Sequence, residues 1–184
     1  MVFELNDEER ERLSSLQAGL SEIRIYKEGL YPSVVSFVTK AGINVTVRAK
    51  DEDVAPRFEV FPITVSGSTL NVEPEQTLDC TAFSDDLELV ILRKAEWSTP
   101  STPDEQSQLL GDPKGATTQH EGNVSCMPES SVNYAILDAG LEIRGLGGRS
   151  FLIATSMFPF ALYVSDCAFS ESFDASIYDR LGIG

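Results

Sequence analysis

"SVVSFVTKAGINVTVRAKD", Ser33–Asp51, decides how this chain folds. Val35 and Phe37 on one side and Val45 and Val47 on the other repeat every second residue, the period of a strand with one buried face. Ala41-Gly42 lies between the two runs as a turn. Together they predict an antiparallel hairpin.

The same rhythm extends outward. Upstream, "SEIRIYKEG" (Ser21–Gly29) sets Ile23 and Ile25 against charged neighbours. Downstream, "RFEVFPITVS" (Arg57–Ser66) reads as strand, with Pro62 marking an edge, a bulge or a strand start. "DLELVILRKAEW" (Asp86–Trp97) is almost continuously apolar from Leu87 to Leu92, which predicts a central strand covered on both faces. "VNYAILDAGLEIRGLGGRSFLIATSMFPFALYVSD" (Val132–Asp166) gives a strand, a turn at Leu146-Gly147-Gly148, a second strand, and a third after Pro159. The tail "SFDASIYDRLGIG" predicts a short helix after Asp174.

One longer helix is written at the start. Asn6 can cap it, Glu9 is its capping-box partner three residues on, and Asp7 and Glu8 suit the positive end of the dipole. Leu13, Leu16 and Leu20 form an apolar stripe, and Gly19 is the expected stop. A helix of about a dozen residues does not hold alone in water, so it must lie on the sheet.

The expected fold class is α+β and β-dominated: antiparallel meanders with an N-terminal amphipathic helix. Two related copies are legible in it. "FVTKAGINVTVRA" (Phe37–Ala49) and "EIRGLGGRSFLIAT" (Glu142–Thr155) are glycine-turned hairpins, each followed by Phe-Pro and a strand ending Val-Ser, "FPITVS" and "FPFALYVS". The domain reading is residues 1–97 (helix plus strands), 98–127 (a mobile polar segment rich in Ser, Thr, Pro, Gly and Gln), and 128–184 (a second meander packed on the first). At 184 residues the chain suits one compact domain and buries roughly 70% of its unfolded surface.

Charge is the dominant compositional feature. Lys and Arg number 14 against 29 Asp and Glu, a formal charge of −15. Such a surface repels nucleic-acid phosphate and anionic lipid and attracts a basic protein. No run of about 18 apolar residues marks a membrane helix, and no apolar leader core is visible. Between Phe58 and Leu92 every charged residue is acidic: Glu59, Glu73, Glu75, Asp79, Asp85, Asp86 and Glu88. From this stretch Glu73, Glu75, Asp79, Asp85, Asp86 and Glu88 are the partner-binding candidates. Trp97, the single tryptophan, joins them as an interface anchor, with the rim of the core as its plainer reading. Met157, Phe158 and Phe160 read as core, or as a contact patch if exposed.

Chemistry is poorly represented. Cys80, Cys126 and Cys167 form no C-x-x-C and are expected to be reduced thiols in a cytoplasm. They and the lone His120 do not make up a zinc ligand set, so no metal and no cofactor is expected. No G-x-S-x-G elbow occurs. "GLGGRS" (Gly145–Ser150) lacks the Lys-Ser/Thr of a phosphate loop and reads as a hairpin turn. Asp51, Asp53 and Asp85-Asp86 lack calcium-loop spacing. The expectation is therefore a non-enzymatic acidic protein-binding module, in its sharpest form an immunity-type inhibitor of a basic toxin or nuclease. The alternatives are a self-associating assembly protein, hence an oligomer, and a hydrolase whose paired carboxylates are set by spatial distance alone.

Overall fold

A computed structural model of the chain describes residues 1–55, 58–80, 86–98, 133–145, 150–156, 160–165 and 173–183. Strands dominate. The first sheet holds β2 (Leu20–Glu28), β3 (Tyr31–Thr39), β4 (Asn44–Ala49), β7 (Ile63–Ser66) and β8 (Gln76–Asp79), in the order β7-β4-β3-β2-β8. The second holds β9 (Glu88–Ser98), β10 (Asn133–Arg144), β11 (Ser150–Thr155), β12 (Leu162–Val164) and β13 (Asp179–Gly182), in the order β12-β11-β10-β9-β13. A short β1 (Val2–Phe3) lies parallel to β10, and β5 (Glu52–Ala55) and β6 (Phe58–Val60) form a separate hairpin. Leaving β1 aside and ranking by position along the chain, the five strands of each sheet run fourth, third, second, first, fifth.

The decisive hairpin forms as its pattern predicts. Val35 faces Val47 and Phe37 faces Val45 across β3 and β4. Gly42 takes φ +81° in the connection, where a side chain would be strained. Those four residues turn inward onto Leu89, Ile91, Leu141, Ile143, Phe151 and Ile153 of the second sheet in one buried cluster. The Phe37 and Phe151 rings meet edge to face at 5.9 Å and 88°. Burying a phenylalanine of this kind contributes roughly 1.5–3 kcal/mol, so the two sheets hold each other as a sandwich.

The N-terminal helix α1 (Asp7–Ser14) carries the expected capping box, with Asn6 accepting from the Glu9 backbone N–H and Glu9 reaching back to Asn6. Its last turn tightens to 3₁₀ over Ser15–Ala18, and Gly19 ends it at φ +94°. Leu13 and Leu16 are buried as the stripe requires. Leu20 is a correction: beyond Gly19 it opens β2, and its burial is that of a strand residue. The charge-rich helix is fastened by Glu9, whose carboxylate accepts from the Thr64 hydroxyl at 2.7 Å and the Val65 N–H at 3.0 Å on β7.

Other expectations are refined. "RFEVFPITVS" is two strands, because Phe61-Pro62 breaks it and sends β6 and β7 to different sheets. β9 is interior, between β10 and β13, with Leu89, Val90, Ile91 and Leu92 all buried. Although it precedes the polar segment, it belongs to the sheet of the C-terminal strands. Ser98 still pairs with Asn133; residues 99–127 lie outside the described residues, as does the Leu146–Gly148 turn. The helix after Asp174 is a 3₁₀ turn, Ala175–Ile177, capped by the Asp174 carboxylate. It delivers β13, which the sequence pattern did not foretell. Met157 and Phe158 lie outside the described residues, and Phe160 is half exposed at φ +60° rather than in the core.

Candidate functional site

The acidic stretch divides between two places. Glu73 and Glu75 stand exposed in the approach to edge strand β8, and Asp79 is exposed at its end. The approach is pinned to β2: the Glu75 N–H donates to the Ile25 carbonyl, and the Lys27 N–H donates to the Glu75 carboxylate at 2.9 Å. Asp79 faces Glu22 across the ladder, and Glu22 pairs with Arg24. Cys80 follows, fully buried, its thiol pushed up to about 11 by burial and by the Asp79 and Glu22 carboxylates.

Asp86 and Glu88 sit at the entry to β9, both exposed; Asp85 lies outside the described residues. Glu88 is opposite Arg144 and pairs with it at 3.5 Å. The Arg144 guanidinium also donates to Glu142 at 3.0 Å, and Arg180 reaches Glu142 at 3.3 Å. These bonds, Glu142 foremost, push the Arg144 pKa up.

Trp97 belongs to a different surface. It is nine residues beyond Glu88 on one extended strand, roughly 30 Å away, so the structure does not bring it to the acids at the strand entry. Two-thirds of Trp97 is exposed, which makes it a surface residue and not the rim of the core. Its cross-strand neighbour is Tyr134, also exposed. Beside it opens a groove of about 590 Å³ lined by Glu59, Phe61, Lys94, Glu96, Ile177 and Asp179, among others.

The basic residues explain where negative field remains. Arg12, Arg24, Lys50 and Lys94 each bond a carboxylate of the same chain: Glu8, Glu22, Glu52 and Glu96. Arg10 and Arg93 are committed to the wholly buried Asp138, and Arg93 also meets Glu4. The Asp138 carboxylate accepts the Leu5 N–H as well, so every cation around it serves to lock the N-terminal segment onto β10. Glu59, Glu73, Asp53 and Asp179 have no such partner among the described residues.

Asp138 and its arginines escaped the sequence reading, yet a signal was present: an acid inside the apolar run "YAILDAGLEI" must find buried donors. The meeting of Glu59 with Asp179 at the groove beside Trp97 gave no local signal, since β6, β9 and β13 meet only through the fold. His120 and the remaining cysteines lie outside the described residues, and among those described no three Asp, Glu, His or Cys side chains gather as a metal site. β10 and β11 are antiparallel neighbours with Arg144 opposite Ser150, and residues 146–149 between them lie outside the described residues. No described helix is long and apolar enough to cross a membrane.

Comparison of the chain with protein-family models, with curated proteins and with solved structures found no match. Function is therefore argued from the surface alone.

Proposed function

We propose that this chain is a non-catalytic module that binds a basic protein in the cytoplasm through its acidic surface. An immunity-type inhibitor of a basic toxin or nuclease is the sharpest form of that role. One observation carries the reading. The arginines and lysines named above are used up in pairs within the chain, while among the described residues Glu59, Glu73, Asp53 and Asp179 have no ion-pair partner, on a molecule of formal charge −15. A field of that kind speeds encounter with a cationic partner and weakens with added salt.

Related halves are part of the same proposal. The two glycine-turned pieces matched in sequence supply the second and third strands of each sheet, and the Val-Ser strands the fourth, with the fifth returning beside the first. Duplication of one meander accounts for that shared order and yields a stiff two-layer body.

The test is salt-graded capture: immobilised protein, native lysate, and mass identification of what elutes. A specific basic protein, retained at low salt and released steeply as ionic strength rises, is expected. Retention indifferent to salt would overturn the electrostatic basis. A second reading, self-association, is favoured by the sheet ends β7, β8, β12 and β13, which can template further strands. Sedimentation would then show an oligomer that salt leaves intact.

A further inference from the structure

We propose that the groove beside Trp97 seats a lysine- or arginine-bearing segment of the basic partner, its aliphatic stem on Trp97 and Ile177 and its charged head at Glu59 and Asp179. This rests on the reading of a basic partner and assigns it a docking point at Trp97, Glu59 and Asp179, apart from the Glu73–Glu88 candidates.

Apolar surface in the groove comes from Phe61, Trp97 and Ile177, and the latter two are 67% and 55% exposed. An exposed indole face is the best aromatic partner for a cation, while a long basic side chain also needs apolar surface along its stem. The charged lining is unequal. Lys94 and Glu96 neutralise each other at 2.6 Å, which leaves Glu59 and Asp179; Asp179 stands opposite Arg93 on β9, whose guanidinium is held by Asp138 and Glu4. Glu59 in turn stands directly opposite Asp53 across the β5–β6 ladder. Like charges at that spacing, Cβ atoms about 4.5–5.5 Å apart, disfavour each other until a cation intervenes.

The volume of about 590 Å³ is in the range of a built ligand pocket. A phosphate-bearing ligand is repelled by its rim. A protein segment is favoured over a free polyamine because apolar surface continues past the groove onto Tyr134, 47% exposed beside Trp97. A slender diamine makes no use of that shelf.

Trp97 is the only tryptophan, so its emission reports on the groove directly. The full chain is titrated at low salt with a labelled hexa-arginine peptide and, separately, with spermine. Affinity is followed by anisotropy of the label and by Trp97 fluorescence. The peptide is expected to shift Trp97 emission; Glu59→Gln with Asp179→Asn, or Trp97→Ala alone, should weaken binding about tenfold. Glu11→Gln, an exposed acid on α1 outside the groove lining, should change it less than about twofold, since exposed charges away from the contact contribute little. Circular dichroism confirms that each variant folds. Peptide binding that leaves Trp97 emission and the groove variants unaffected would overturn the groove while leaving the acidic-surface reading in place. No peptide binding at all would overturn both. Spermine binding as tightly as the peptide, with the same loss in the variants, would overturn the protein segment in favour of a free polyamine.

Discussion

The Nε–H of Arg93 donates to Oδ1 of Asp138 at 2.8 Å, across the ladder where β10 bulges between Asp138 and Gly140. Arg10 and the Leu5 N–H complete the ring of donors around a carboxylate with no exposed surface. Removing it strands two arginines and a backbone donor. Asp138→Ala should therefore cost about 3–5 kcal/mol of stability, read from urea unfolding. A smaller loss in a cycle with Arg93→Ala than in Arg93-intact protein would measure how much of that cost is the orphaned charge.

Gly140 is held by space. A Cβ there would sit 2.5 Å from the Ile153 carbonyl oxygen and 3.0 Å from the Ala154 Cα, both backbone atoms of β11. Gly140→Ala should destabilise by about 1–3 kcal/mol, because strand must move from strand. Gly29→Ala meets nothing within 4 Å but carries φ +62°, so its loss should come from backbone strain alone and leave the core's near-ultraviolet signature unchanged.

Glu9 gives a pH signature. Burial alone would raise its pKa, but the Thr64 hydroxyl and the Val65 and Asn6 N–H donors outweigh that and hold it below the ordinary 4.5. A carboxylate depressed in the folded state contributes stability that is complete above its unfolded pKa and is lost as pH falls through the folded value. Wild-type protein should exceed Glu9→Gln by a constant margin near neutrality, and the margin should close as pH drops below about 4.5. Melting curves across that range provide the check.

Cys80 should be chemically silent. It is fully buried, and its thiol is pushed up to about 11, so little thiolate exists near neutrality. In a chain carrying Cys126→Ser and Cys167→Ser, a disulfide reagent should label it fully in denaturant and almost not at all in native buffer. Rapid native labelling would place the sulfur nearer solvent than its packing allows.

What could be read from the sequence followed from local period. The β3–β4 hairpin, interior β9 and the Asn6–Glu9 box each depend on residues within one element, so alternation and capping rules suffice. Leu20 was misplaced because i, i+3, i+7 spacing continues past Gly19 by coincidence. The site was legible only in part. Trp97 and the exposed acids are visible as residue types, yet nothing local tells that Glu88 meets Arg144 while Glu59 and Asp179 share a groove. Those relations arise from strand order, and β13 lacks the apolar run that announces a strand.

β13 has one more consequence, for how the molecule is made. Its four residues close the flank of Val90–Arg93 in β9, yet they lie beyond everything from 99 to 178. While the ribosome is still extending the chain, β9 has a bare edge available to any neighbouring polypeptide. A message truncated ahead of Asp179 would leave that edge permanently open, and such a product should precipitate rather than merely lose a few kilocalories of stability.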